Sequence, residues 1–111
     1  PEIASVGLTE TQAREKGVQI RVGRYDMKGN GQQIISRETG GFIKVIFAAN
    51  SDVLLGAQIM CARATDMIGE LATALANGLT STQLMYAMRA HPTFNEAISC
   101  AVENSRDNIK E

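Results

Sequence analysis

The sequence predicts an α+β fold, in which helices pack on one side of an antiparallel β-sheet. Apolar stretches with strand character fill the first half of the chain, and turn residues separate them at hairpin spacing. Stretches with helical spacing fill the second half. Strands followed by helices are typical of an α+β layer fold. The 111 residues suit one domain, so residues 1–111 are predicted to form a single unit.

Four segments of the first half have strand character. The predicted strands are residues 3–7, 18–27, 42–48 and 53–61. Their residues are mainly apolar or alternate between apolar and polar. Turn residues at 50–52 join the last two strands into a hairpin, and residues 38–41 form another turn. Gly56 lies inside the last strand, where glycine indicates a bulge or a close approach of another backbone.

Three pairs of residues have capping-box spacing, and each pair predicts the start of a helix. The pairs are Thr9 and Gln12, Thr80 and Gln83, and Thr93 and Glu96. The first helix is expected to end at Gly17. The second is expected to extend through Met88 and to end by Ala90, because the residue before a proline is pushed out of helical geometry. Helical spacing predicts a further helix over residues 64–77.

The two longer predicted helices each have one apolar face. In the helix over residues 64–77, this face contains Ile68, Leu71, Ala72, Leu75 and Ala76. In the last helix it contains Ala97, Ile98, Ala101, Val102 and Ser105. Residues 106–111 are mostly charged and are expected to be frayed.

Gly29-Asn30-Gly31 has the Gly-x-Gly spacing that begins dinucleotide-binding loops. The complete fingerprint needs a third glycine at position 34, where this chain has Ile34, and no helical pattern follows. A turn or flexible loop is therefore the preferred interpretation. Residues 33–36 are too few to assign.

Composition argues against several classes of function. The chain has 11 basic and 12 acidic residues without a basic run, so a nucleic-acid partner is not expected. No apolar stretch approaches the roughly 18 residues of a membrane helix, and neither a membrane span nor a secretion signal is expected. Because the chain begins at Pro1, we expect it to be a piece of a longer protein or a processed product.

Cys61 and Cys100 lie far apart and form neither a Cys-x-x-Cys pair nor a ligand cluster. A zinc site built from these cysteines and His91 would need a fourth ligand, so no metal site is predicted. Two buried free thiols in a reducing compartment are the preferred interpretation.

The segment from Arg89 to Glu96 contains the only histidine, His91, followed by Pro92. Histidine is the side chain whose ordinary pKa lies nearest neutrality, so His91 is the candidate acid/base. A lone histidine is more often structural, and that interpretation stays open. Glu96 also has two interpretations, since it could orient His91 or bond back to Thr93 in the capping box.

Three segments carry a resemblance to a known family. They are Pro1 to Glu10, Leu55 to Ile59, and Ala90-His91-Pro92-Thr93-Phe94-Asn95-Glu96. In this order they resemble the carboxy-terminal interface (dimerisation) domain of flavin-dependent pyridine nucleotide-disulfide oxidoreductases. They are most similar to the segments of dihydrolipoamide dehydrogenases. The resemblance covers essentially the whole chain.

The resemblance implies specific roles for two residues. The histidine matching His91 takes a proton from a thiol of dihydrolipoamide in the active site of the other subunit. The carboxylate matching Glu96 hydrogen-bonds the far ring nitrogen and fixes its orientation. The resemblance also implies a cis peptide bond before Pro92, and a homodimer. The helices from Ala64 to Met88 and the last helix are the candidate subunit interface.

The resemblance further implies a cytoplasmic enzyme that uses FAD and NAD and acts on a lipoyl-carrying protein or domain. That partner belongs to a 2-oxo acid dehydrogenase or glycine cleavage complex. This chain is expected to bind neither cofactor and to be inactive alone, since the dinucleotide fingerprint and the redox cysteine pair would lie upstream.

Two departures from the family pattern leave alternatives open. Arg89 stands where the dehydrogenases usually have a second histidine, and Cys61-Ala62-Arg63 replaces a commoner link containing glycine and proline. An interface domain of a related disulfide reductase is therefore one alternative. A free-standing dimeric binding or scaffold module with a structural His91 is the other.

Overall fold

An antiparallel β-sheet forms the centre of the domain. The structure, a computed structural model, describes residues 2–37, 40–106 and 109–110. Within these residues the sheet has the strand order β1-β4-β3-β2-β5. The strands are β1 Glu2–Gly7, β2 Ile20–Asp26, β3 Phe42–Ala48, β4 Leu54–Cys61 and β5 Ile109–Lys110. The predicted α+β class is confirmed.

Helices connect or follow the strands. They are α1 Glu10–Glu15, α2 Gly31–Ile35, α3 Ala64–Ala76, α4 Ser81–Tyr86 and α5 Glu96–Ser105. The capping boxes predicted at Thr9 and Thr80 both form, with reciprocal bonds to Gln12 and Gln83. In the described part of the chain, no helix has the length and apolar character needed to cross a membrane.

The main core lies between the sheet and the helices of the second half. Helix α3 packs over β1 and β4, and α5 packs over β2 and β3. Alternate residues of β3, Ile43, Val45 and Phe47, face these helices and are fully buried. The last helix buries the face that the sequence predicts, since Ala97, Ile98, Ala101, Val102 and Ser105 are all buried.

A second, smaller core lies on the opposite face of the sheet. It joins Ala13 of α1 to Ile20, Val22 and Ile46. Helix α1 therefore packs opposite α3 and α5, whereas the sequence predicts all helices on one side. Successive side chains of a strand point to opposite faces of the sheet. Ile20, Val22 and Ile46 point to the face opposite α3 and α5, and α1 buries them there.

The buried face of α3 is rotated from the predicted one. The buried residues are Ala64, Met67, Leu71 and Ala74. Ile68, Ala72 and Leu75 are half-buried at its flank, and Ala76 is exposed. Helix α4 also ends at Tyr86, earlier than expected, so Met88 lies outside it and is exposed. Small alanines at many positions leave the α3 stripe poorly defined by periodicity alone.

Two other segments differ from the sequence prediction. A helix, α2, does form at Gly29-Asn30-Gly31 and begins at Gly31, because the side chain of Asn30 accepts from the backbone N–H of Gln33 and caps it. Ile109–Lys110 pair with Ile20 and Arg21 of β2. The prediction that the chain end is frayed is therefore wrong for these two residues. The edge of β2 offers unpaired backbone groups that a following segment can satisfy. Glu38 and Thr39 of the predicted turn lie outside the described residues, as do residues 107, 108 and 111.

Gly56 combines both features that glycine indicates in a strand. Ile46 pairs with Gly56 and Phe47 pairs with Leu54, which leaves Leu55 as the extra residue of a bulge. A Cβ added at Gly56 would also overlap the carbonyl oxygen of Leu8. The absence of a side chain therefore lets the segment after β1 lie directly against β4.

We predict that Gly56→Ala destabilises the domain, because the new methyl group must displace the backbone at Leu8. The free energy of unfolding should fall by about 1–3 kcal/mol. The control is Gly69→Ala, where a Cβ on α3 meets no atom within 4 Å. The control should be stabilised by about 0.5–1 kcal/mol, the usual gain of alanine in a helix. Urea unfolding measures both, and equal stabilities of the two variants would contradict the packing argument.

Candidate active site

The loop between α4 and α5 carries His91. The His91–Pro92 peptide bond is cis, as the resemblance implies. The side chain of His91 is 77% exposed, so the ring projects from the domain instead of packing within it. His91 is therefore not a structural histidine buried in the core.

Glu96 contacts one nitrogen of the His91 ring. His91 Nδ1 lies 2.9 Å from Oε1 and 2.8 Å from Oε2 of Glu96. An ionised carboxylate only accepts hydrogen bonds, so Nδ1 must donate its hydrogen to it. In the neutral ring Nε2 then carries the lone pair, and this nitrogen is the one able to accept a proton.

Glu96 also makes both bonds of the capping box that the sequence offers as its alternative role, but α5 begins at Glu96 itself, and Phe94 and Asn95 form a turn before it. The backbone N–H of Thr93 donates to Glu96 Oε1 at 3.0 Å, and the backbone N–H of Glu96 donates to Thr93 Oγ1 at 3.3 Å. The two interpretations are therefore compatible, because one carboxylate accepts from both donors. The Thr93 N–H, together with His91, holds the pKa of Glu96 below its usual value.

Asn30 is a contact of this loop that the sequence does not reveal. Its buried side chain accepts from Gln33 and donates to the carbonyl of Thr93 at 2.9 Å. The Gly-x-Gly segment therefore supports the loop that carries His91. Asn30 is recognisable in the sequence as a capping residue type, but its partner lies 63 residues away.

A cavity of about 120 Å³ lies beside His91. It is lined by Tyr25, Gly29, Asn30, Gly31, His91, Glu96, Ala97 and Cys100. Burial raises the pKa of the Tyr25 hydroxyl and also that of the Cys100 thiol. The thiol of Cys100 is therefore a poor nucleophile near neutral pH.

Both cysteines are free, as predicted, but only Cys61 is fully buried. Burial raises the pKa of the Cys61 thiol to about 11. Cys100 is half-buried, which corrects the expectation of two buried thiols. Among residues 2–37, 40–106 and 109–110, no three His, Cys, Asp or Glu side chains are grouped closely enough to hold a metal ion.

Comparison with known families identifies the domain. The family described as pyridine nucleotide-disulphide oxidoreductase, dimerisation domain, matches residues 1–102. The chain belongs to this family. The resemblance seen in the sequence is thereby confirmed over nearly the whole chain.

Curated relatives of this dimerisation domain are dihydrolipoyl dehydrogenases. That of Bacillus subtilis (strain 168) is 41% identical over 103 residues, which cover 93% of this chain and 22% of the relative. That of Rhizobium etli is 41% identical over 102 residues, covering 92% of this chain and 21% of the relative. The chain thus spans about a fifth of the length of these relatives.

Solved structures share the fold of the chain. The Cu(II) complex of the HOCl-induced flavoprotein disulfide reductase RclA from Escherichia coli superposes with a TM-score of 0.88 at 27% identity. That match covers 93% of this chain and 23% of the reductase chain. LpdA from Mycobacterium tuberculosis gives a TM-score of 0.87 at 24% identity, over 93% of this chain and 22% of its own. This second likeness shows the fold alone.

We predict that Glu96→Gln destabilises the domain in a pH-dependent way. The pKa of Glu96 is lowered from an ordinary value of 4.5, so its carboxylate stabilises the folded state fully above about pH 4.5. This contribution is lost as the pH falls through the lowered pKa. The difference in free energy of unfolding between wild type and variant should therefore shrink on acidification.

Urea unfolding between about pH 3 and pH 7 measures this difference. The matched control is Glu103→Gln, which changes an exposed glutamate on the same helix. A difference between wild type and Glu96→Gln that stays constant down to the lowest pH would contradict the assigned role of the carboxylate.

Proposed function

We propose that this chain is the dimerisation domain of a longer flavoprotein that acts as a dihydrolipoamide dehydrogenase. One observation carries the proposal: the imidazole ring of His91 is exposed, and its Nδ1 is held by the carboxylate of Glu96. A catalyst that serves another subunit must project from its own domain. Curated relatives about five times as long, all named dihydrolipoyl dehydrogenase, support the same assignment.

His91 is proposed to act as the acid/base toward a thiol of dihydrolipoamide. A thiol with a pKa near 8.5 is mostly protonated at pH 7 and is then a weak nucleophile. Nε2 of His91 would accept the thiol proton, leaving a thiolate able to attack a disulfide. Glu96 would hold the ring in the required tautomer and stabilise the imidazolium that forms.

The proposed reaction needs parts outside this chain. FAD and NAD, when bound by the longer protein, supply the electron transfer that follows thiol oxidation. We assign neither cofactor to residues of this chain, because Asn30 of the Gly-x-Gly segment caps α2 and donates to the carbonyl of Thr93, and position 34 lacks the third glycine. The isolated chain is therefore proposed to be inactive.

The proposed partners follow from the substrate. Dihydrolipoamide is carried on a lipoyl-bearing protein or domain, so the partner would belong to a 2-oxo acid dehydrogenase or glycine cleavage complex. A cytoplasmic location is proposed with it.

A related disulfide reductase is the second candidate function. Arg89 departs from the histidine usual in the dehydrogenases, and the chain shares its fold with a disulfide reductase, RclA, at 27% identity. Turnover with dihydrolipoamide, compared with turnover of other dithiols, distinguishes the two candidates.

The subunit interface is proposed to include the exposed apolar residues next to His91. Met88 is 98% exposed and Tyr86 is 80% exposed. The apolar face of α5 fills the core of its own domain, so the part of this helix proposed for the interface is its outward face. Burying Tyr86 and Met88 against a second copy would also carry His91 toward that copy. Interfaces of stable dimers often bury about 2,000 Å² or more, so neighbouring residues of α3 would contribute.

We predict that His91→Gln in the full-length protein abolishes most dihydrolipoamide oxidation while flavin remains bound. Loss of a general base should lower kcat by roughly 10²–10⁴-fold. Steady-state kinetics and the flavin absorption spectrum measure both properties. The control is Gln58→Ala on β4, whose side chain donates to the carbonyl of Leu8 and lies beside α1. Full activity of His91→Gln would remove His91 from the mechanism.

We predict that the double change Tyr86→Glu and Met88→Glu weakens dimerisation, because two charges would have to be buried at the interface. The dissociation constant should rise at least about tenfold. Sedimentation of wild type and variant measures it. The matched control is Ile3→Glu, a change at an isoleucine that is 74% exposed on the edge strand β1. A wild-type chain that is only monomeric at micromolar concentration would overturn the interface proposal.

A further inference from the structure

Arg89, two residues before His91, is held inside the domain. Its side chain is 6% exposed and forms an ion pair with Glu70 of α3. The same guanidinium donates to the carbonyls of Leu84 and Ala87 and to Ser99 Oγ of α5, the last at 2.7 Å. One side chain thus links α3, the end of α4, and α5.

Glu70 accepts hydrogen bonds from residues on both sides of His91. Its two carboxylate oxygens accept from Nε and Nη2 of Arg89, and Oε1 also accepts from Asn95 Nδ2 at 3.3 Å. Arg89 precedes His91 and Asn95 directly precedes Glu96. A single carboxylate on α3 therefore fixes the chain just before the imidazole and just before its acidic partner.

The exposed ring depends on this anchoring. His91 is oriented by Glu96, so the location of both side chains relative to the domain is set by the backbone on either side of them. Helix α3 is a suitable reference, since it spans 13 residues and buries Met67 and Leu71 in the main core. A displacement of about 1 Å in a catalytic group can cost about 100-fold in rate.

We propose that Arg89 is a positioning residue that acts through His91, with Glu70 and Asn95 as its partners. The inference rests on the proposed function of His91. A lysine at position 89 would not substitute fully, because the planar guanidinium engages both carboxylate oxygens of Glu70 and also reaches Ser99.

The test is a set of variants in the full-length protein, assayed with dihydrolipoamide at a temperature where each variant is folded and flavin-loaded. Arg89→Met should lower kcat about 10- to 100-fold with KM changed less than about twofold. Arg89→Lys should restore part of this loss. Asn95→Ala removes one neutral contact of Glu70 and serves as the milder variant if Arg89→Met does not fold. It should lower kcat about three- to tenfold.

The deciding measurement repeats the change in a His91→Gln background. A residue that acts through His91 has nothing left to position there, so Arg89→Met, or Asn95→Ala in its place, should then cost less than about twofold. The matched control is Arg14→Met on α1, an arginine on the other face of the sheet, and it should leave kcat unchanged in both backgrounds.

Two results overturn the positioning role of Arg89. One is an unchanged kcat in the otherwise wild-type protein. The other is an equal fold loss in both backgrounds, which indicates a general structural effect. A fully active His91→Gln protein is a different failure, because it removes the proposed function of His91 together with the inference that rests on it.

Discussion

The candidate site depends on the two hydrogen bonds that the carboxylate of Glu96 accepts. This carboxylate accepts from the Thr93 backbone just before α5 and from the imidazole of His91. One group therefore stabilises the helix start and orients the proposed base. Because α5 is buried along its inner face, the position of the carboxylate is tied to the core of the domain. An exposed imidazole gains a defined direction without being buried itself.

The rest of the domain brings fixed supports to the same loop. Asn30 holds the loop from the side of α2, and Glu70 holds it from α3 through Arg89 and Asn95. The supports are buried or half-buried, while His91 is mostly exposed. This division suits a domain whose proposed chemistry occurs in a neighbouring subunit, because flexible solvent-exposed anchors would not hold a base in register.

Much of the secondary structure follows from local patterns. The strands and two capping boxes lie where alternation and residue spacing predict them, because both signals act over a few residues. The errors arise where packing decides. The many alanines of α3 leave its buried face poorly defined by residue spacing. Helix α1 packs on the second face of the sheet, and Ile109–Lys110 form a strand only by pairing with β2. Helix α2 is too short to show a period and depends on its cap at Asn30.

The sequence by itself determined the α+β class, the family resemblance and the candidate pair. His91 and Glu96 are five residues apart, and their contact spans one short loop. Only the tertiary structure decided that Glu96 serves both the ring and the helix start, and which side chains support the loop. Asn30 is 63 residues from Thr93, and Glu70 is 19 residues from Arg89. Contacts over such separations depend on how the sheet and helices pack, and that packing carries no signal in local spacing.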